Sequence, residues 1–252
     1  MGRDSARGNG TVVAAGKVDI QVRALATPDD MRVAVALQKA IWGFEDIDLL
    51  PARLFIVATK IGGQAFGAYD GDKMVGFCLA IPGIKAGAHA YLHSHMLGVA
   101  PQYRDYGVGR MLKLKQREDA LPRGLDLMEW TFDPLEIKNA YFNIERLGAV
   151  VRRFVRNQYG TTSSHLHRGL PTDRCTAEWW IRSARVEGVL SGNPEPRLAI
   201  EARISVPADP QAARAEHARV ADQFEEYFGR GLAVTGFERS PQQGTYLLSP
   251  WQ

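Results

Sequence analysis

Several things are scarce in this chain, and each scarcity closes off a class of function. No apolar run approaches the roughly 18 residues of a membrane-spanning helix. Cysteine occurs only at Cys78 and Cys175, both in apolar strand-like settings without Cys-x-x-Cys or histidine spacing. They read as buried reduced thiols and not as a disulfide or a metal site. Charge of one sign is also lacking: 31 Lys and Arg against 28 Asp and Glu leave +3, too little to argue for nucleic acid. There is no Gly-x-x-x-x-Gly-Lys-Ser/Thr and hence no Walker A loop, and no Gly-x-Gly-x-x-Gly of a dinucleotide fold. No internal repeat or low-complexity tract stands out. The segment Met1 to Asn9 is polar, with no apolar stretch behind it, so it reads as a disordered tail and not a signal peptide, and a cytoplasmic location is the expectation. What remains is 252 residues, 45% of them hydrophobic, enough for one large domain or one domain with an appended lobe.

The chain is organised around His93-Ser-His-Met-Leu-Gly-Val-Ala-Pro-Gln-Tyr-Arg-Asp-Tyr-Gly-Val-Gly109 and the helical Arg110-Met-Leu-Lys-Leu-Lys-Gln-Arg117 behind it. A strand from Tyr91 to Val99 is stopped by Pro101, which has no N–H for the ladder. Arg104 to Gly109 then has the spacing Arg-x-x-Gly-x-Gly, whose glycines let backbone approach a ligand without an intervening Cβ. Val108, Met111, Leu112 and Lys115 fall at helical spacing, so a helix starts inside the turn. Its unpaired first N–H groups, at the positive end of the dipole, suit a phosphate or pyrophosphate. A plain tight turn fits the same spacing.

Val99-Ala-Pro-Gln-Tyr-Arg-Asp-Tyr-Gly-Val-Gly109 resembles the acyl-CoA-binding turn of the GNAT superfamily of N-acetyltransferases, Arg/Gln-x-x-Gly-x-Gly/Ala after a strand ending in Val-x-Pro. Leu92-His-Ser-His-Met-Leu, Trp130-Thr-Phe-Asp-Pro-Leu135 and His167-Arg-Gly-Leu-Pro-Thr-Asp-Arg174 further resemble a bacterial subgroup of predicted acetyltransferases. The resemblance implies an α/β (α+β) fold with a mixed central sheet flanked by helices. It also implies acetyl-CoA or another acyl-CoA as co-substrate, no metal, and a small-molecule amine as acceptor, with no nucleic acid or membrane partner.

The chain in order agrees with that fold. Val18 to Arg23 alternates as a strand. Thr27-Pro28-Asp-Asp30 opens a helix whose expected buried stripe is Val33, Leu37, Ala40 and Ile41. Pro51 to Lys60 reads as a second helix. Gln64 to Tyr69 and Met74 to Ile81 are strands joined by an Asp70-Gly-Asp turn, and Pro82 to Ala88 reads as a loop into the central strand. A helix from Val108 to Leu121 returns to a strand at Leu125 to Thr131. A helical crossover makes these two strands parallel neighbours, and the resemblance places the pantetheine arm where they splay. A helix from Glu136 to Leu147 and a strand from Ala149 to Val155 complete β-α-α-β-β-β-α-β-α-β. Beyond them, Asn157 to Arg174 reads as a functional loop, Ala177 to Ile181 as a strand and Gly188 to Arg197 as a linker. A β-α-β-β unit follows: a strand at Leu198 to Val206, one helix opened by Asp209-Pro210 with a stripe of Ala213, Val220, Phe224 and Phe228, and strands at Leu232 to Glu238 and Thr245 to Ser249. The expected divisions are a tail (1–16), an acyl-CoA-binding domain (17–185) and an extension (186–252) that packs on or completes the sheet and offers a candidate homodimer surface.

The site residues follow from motif and resemblance together. For CoA they are Leu97, Gly98 and Val99, whose backbone suits the pantetheine amides, and Arg104, Asp105, Tyr106, Gly107, Val108, Gly109 and Arg110 for the pyrophosphate. Lys113 and Arg117 add charge nearby or are simply an ordinary basic helix face. Asn139 and Asn143, one turn apart, are candidate pantetheine or adenylate contacts or a solvated helix face. His93 and His95, two apart on a strand and so on one face, are candidates to take a proton from the amine. They resemble the paired strand histidines of serotonin N-acetyltransferase in the same superfamily. Core imidazoles bonded to backbone, or half of a metal site, fit the same spacing. Acceptor-side candidates are Glu45, Trp130, Thr131, His167 and Arg168, the arginine suiting a carboxylate on the acceptor or on a succinyl group. In Asn139-Ala-Tyr-Phe-Asn-Ile-Glu-Arg-Leu-Gly-Ala149, Ile144 stands where the superfamily often has a tyrosine acid. The expected activity is direct transfer of an acetyl or succinyl group from CoA to an amine. The competing reading is a non-catalytic acyl-CoA-binding or regulatory protein.

Overall fold

A computed structural model describes residues 19–160 and 171–251. The elements run β1 (Ile20–Ala24), α1 (Pro28–Trp42), α2 (Ala52–Lys60), β2 (Gln64–Asp70), β3 (Lys73–Lys85), β4 (His89–Val99), α3 (Val108–Ala120), β5 (Leu127–Phe132), α4 (Ile137–Tyr141) and β6 (Val150–Val155). Then come β7 (Arg174–Trp180), α5 (Ala184–Ser191), β8 (Ala202–Pro207), α6 (Pro210–Ala215), α7 (His217–Gly229), β9 (Leu232–Arg239) and β10 (Gln243–Pro250). All ten strands join one mixed sheet in the order β1-β2-β3-β4-β5-β7-β6-β9-β10-β8, so the C-terminal unit extends the sheet beyond β6. Among the described residues no helix is long and apolar enough to cross a membrane.

Local chemistry explains most boundaries. At α1, Thr27 Oγ1 accepts from the Asp30 N–H and the Asp30 carboxylate accepts from the Thr27 N–H, a complete capping box. The buried stripe of α1 is Met31, Ala34, Gln38 and Ile41, not the expected set: Val33 is 47% exposed and Ala40 also faces out. Gln38 turns that stripe inward, because its side-chain amide bonds both the N–H and the C=O of Leu50.

Three other expectations are corrected. β3 runs on to Lys85 through Pro82, which pairs with Leu92 of β4. The β2 ladder ends at Gln64–Ala80, so Pro82 sits where the other edge of β3 has no partner and needs no N–H. The expected linker from Gly188 begins inside a helix, α5, capped by Ser183 and closed by Gly192 at φ 83°. Gly188 is there for close packing and not as a breaker: a Cβ on it would lie 2.7 Å from the Asn193 carbonyl oxygen. The C-terminal helix divides at Glu216 into α6 and α7. After Tyr141, α4 continues as a π-helical turn over Phe142–Arg146.

The largest core cluster joins both halves of the sheet, placing Trp130 and Trp179 with Phe224, Phe237 and Tyr246. Phe224 and Tyr246 meet edge to face at 5.0 Å. α1 and α2 pack on one face against Phe77 and Leu79. α3 packs on the other against Phe66, Val75 and Cys78.

Candidate active site

The site is built where two strands part. β4 and β5 are parallel, and their ladder consists of Leu92–Met128 and His93–Glu129. β4 continues to Val99 paired only with β3, and β5 continues to Phe132 paired only with β7. Ser94 to Val99 and Trp130 to Phe132 therefore border a gap, and the backbone of Leu97, Gly98 and Val99 lies on its open edge. Leu79 and Ile81 of β3 pair with Met96 and His93, so β4 fits three steps against two and bulges between them. Gly98 is required by packing: a Cβ there would lie 2.7 Å from the Trp42 ring.

The turn follows directly. Arg104 Nε donates to the Val99 carbonyl at 3.4 Å. Tyr103 OH donates to Asp70 at 2.7 Å, tying the turn to the β2–β3 hairpin. Asp105 and Gly107 adopt φ of 68° and 77°, left-handed values that favour glycine. Gly107 is the N-cap of α3 and no side chain caps the helix. Arg104, Asp105, Tyr106 and Gly107 are exposed, Val108 is buried, and Gly109 and Arg110 lie between. Arg110 Nε is buried with no hydrogen-bond partner. An uncapped helix start beside an unpartnered guanidinium nitrogen fits a phosphate-bearing ligand.

His93 and His95 do stand together, ring centroids 6.0 Å apart. Burial, then the neighbouring His95, pushes the His93 imidazole down to about 4, against a weaker upward pull from Glu129. Desolvation lowers His95 as well. Both rings are therefore neutral near pH 7, and the same burial makes His93 a weaker base than an ordinary imidazole. Among the described residues no cluster of three His, Cys, Asp or Glu is placed to hold a metal. Next to His93 runs a charged belt that sequence reasoning missed. Buried Glu129 accepts from Lys85 and Arg153, and buried Glu178 accepts from Arg152 and Arg153. The available signal was a lone acid inside each apolar strand, Leu127-Met-Glu-Trp and Ala177-Glu-Trp-Trp.

A correction concerns Lys113. It is not part of a solvated helix face; it is 3% exposed, with Nζ 2.8 Å from Ser94 Oγ and 3.4 Å from the centroid of the Trp130 ring. Ser94 also donates to Gln116 Oε1 at 3.0 Å. Burial pushes the Lys113 ammonium down to about 7 and the adjacent Cys78 thiol up to about 12.

The other candidates are dispersed. Asn143 is buried and accepts from Trp130 Nε1 at 3.1 Å, whereas Asn139 is exposed on the neighbouring turn. Thr131 ends the gap, its hydroxyl 2.8 Å from Tyr159 OH. Glu45 lies exposed before the 3₁₀ turn Asp46–Asp48. Ile144, in the place expected of a tyrosine, is fully buried. Arg117 is tied to the Ile181 carbonyl and to Glu187. His167 and Arg168 lie outside the described residues.

Known proteins share this fold. The chain is similar in fold to the ribosomal-protein-S18-alanine N-acetyltransferase of Escherichia coli, with 19% identity, TM-score 0.51, and coverage of 66% of this chain and 96% of that one. It is similar to yncA of Salmonella typhimurium, solved with its cofactor acetyl-CoA, at 14% identity and TM-score 0.51, over 66% and 97% of the two chains. A third similarity is to aminoglycoside 6'-acetyltransferase type Ii, at 21% identity and TM-score 0.51, over 65% and 98%. No curated protein matches the sequence. Residues 34–148 match the model of the acetyltransferase (GNAT) family.

Proposed function

We propose that this protein is an acyl-CoA-dependent N-acyltransferase that passes an acetyl or succinyl group directly to the amine of a small carboxylate-bearing acceptor such as an amino acid. The observation that carries the reading is the gap opening just beyond His93 and Glu129. It leads from a pair of neutral imidazoles to an uncapped helix start. The free edge of Leu97 to Val99 would hold the pantetheine amides as a strand would. The N–H groups from Gly107 to Arg110, with the Arg110 guanidinium, would hold the pyrophosphate. Acyl-CoA supplies an activated acyl carbon. A backbone N–H of the β4 edge would polarise its carbonyl, and His93 or His95, directly or through water, would take the proton of the acceptor ammonium. Behind these imidazoles Glu129 and Glu178 are ion-paired with Lys85, Arg152 and Arg153, which fixes the wall on which His93 sits.

The fully buried Ile144 favours one alternative, a non-catalytic acyl-CoA binder that has lost its thiolate acid. Thermal unfolding with CoA, acetyl-CoA and succinyl-CoA, each beside a panel of free amino acids and monitored for thiol release, separates the two. Ligands that bind the folded state raise the melting temperature by mass action. Stabilisation with thiol release supports the enzyme, stabilisation without release for any amine supports the binder, and no stabilisation removes both.

A further inference from the structure

A buried ammonium ordinarily has a carboxylate partner, because desolvating an unpaired charge is costly. Lys113 has none among the described residues. Its surroundings are Ser94 on β4, the indole of Trp130 on β5, and the Cys78 thiol on β3, and its charge helps to lower the nearby His93 imidazole. Ser94 is the one hydrogen-bond acceptor of Nζ among the described residues. Its position is specific. Ser94 directly follows His93 and Trp130 directly follows Glu129, the last ladder pair. The ammonium thus bridges the two strands one residue beyond the point where they part, at the closed end of the gap and one residue from the paired imidazoles.

Resting on the acyltransferase reading above, we propose that Lys113 is the acid that protonates the departing CoA thiolate, from the closed end of the gap between Ser94 and Trp130. The amine nitrogen, its extra proton already passed to solvent through His93 or His95, forms the C–N bond with the thioester carbon. When the C–S bond breaks, sulfur keeps the electron pair and takes a proton from the Lys113 ammonium. The remaining excess proton on nitrogen leaves through the imidazoles, and the neutral Lys113 amine regains a proton from solvent. Acyl-CoA and an ammonium become amide, CoA thiol and one proton. A lysine whose acidity is raised by burial donates downhill to a thiolate, whose conjugate acid has a pKa of roughly 8.5. The unpartnered ammonium acquires the anion that its surroundings lack, and the proposal accounts for a tyrosine position filled by Ile144.

The test reads the sulfur itself and needs no acceptor. CoA bound to the protein is titrated by thiolate absorbance in the wild type and in Lys113→Met, with Lys113→Gln as a second variant able to keep a hydrogen bond to Ser94. Below about pH 7, where Lys113 is still charged, a cation beside the sulfur gives bound CoA about tenfold more thiolate in the wild type than in either variant, an excess that fades as pH rises and Lys113 loses its proton. With an accepted amine, kcat falls at least tenfold in both variants while the KM for acetyl-CoA stays within about twofold, and Lys113→Arg restores the thiolate excess without restoring kcat. Equal thiol titration in wild type and variants that bind CoA equally would overturn the proposal. So would full turnover by Lys113→Arg, or loss of CoA binding in both Met and Gln variants, which would make Lys113 a binding residue. Failure of the wild type to bind CoA would instead overturn the acyltransferase reading.

Discussion

His93 and Glu129 form the final pair of the β4–β5 ladder, so one register position joins an imidazole to a buried carboxylate and marks where the sheet opens. His93 also contributes to the acid sensitivity of the fold. His93 is held down to about 4 by burial, against 6.5 for an ordinary imidazole. The unfolded chain therefore binds more protons than the folded one between these values. Stability attributable to His93 is intact above about pH 6.5 and is lost progressively as pH falls to about 4, by up to roughly 3 kcal/mol. Urea midpoints measured from pH 4 to 8 should show this limb in the wild type and a shallower one in His93→Gln.

Glu129 pairs with both Lys85 and Arg153. Removing it in Glu129→Ala leaves two cations facing a buried position. Because Arg153 keeps Glu178 at 3.3 Å and is 46% exposed, the expected loss is about 2 kcal/mol, below the 3–5 of a fully buried pair. The same substitution removes the one group that raises the His93 imidazole. Chemical denaturation and an NMR titration of the His93 ring check both outcomes: lower stability and a still lower imidazole pKa.

The two glycines of the turn should respond in opposite ways. Gly107 is at φ 77° with open space around a Cβ, so Gly107→Ala costs only backbone strain, about 1 kcal/mol. Gly109 lies within α3, and a Cβ there would sit at an ordinary 3.6 Å from Leu97. Gly109→Ala should stabilise the free protein by about 0.5 kcal/mol and yet reduce the stabilisation given by CoA, because the added methyl meets the ligand. Melting temperatures with and without CoA separate the two effects, and Gly109→Ala protein stabilised by CoA as strongly as the wild type would remove the ligand role of that glycine.

Motifs whose physics is local were legible in the sequence. The Thr27 cap, the Pro101 stop, the Gly107 turn and the order of elements through β6 follow from one to six neighbouring residues each, and the structure reproduces them. What escaped reading depends on partners distant in sequence. Nothing near Lys113 announces that Ser94 and Trp130 will enclose it, and Gly188 resembles a breaker until the approach of Asn193 is known. Gln38 faces inward only because the Leu50 backbone waits for it. Asn139 and Asn143 share a spacing, but the indole of Trp130 claims the second.

Ladder hydrogen bonds stiffen a sheet, so it bends most readily where they are sparse. Among the described residues, β6 and β9 share one registered pair, Val151–Val234, and β4 and β5 share two, whereas every other neighbouring pair of strands shares at least five. The wide sheet is thus three panels meeting at two hinge lines. The middle panel carries Glu129 and Trp130, the far wall of the gap. Across the second hinge the Arg185 guanidinium donates to the Gly148 and Thr235 carbonyls at 2.9 and 2.7 Å, and the shared aromatic core reinforces it. The C-terminal panel is thus braced against the middle one by side chains where ladder pairs are few, whereas the seam bordering the gap carries two registered pairs.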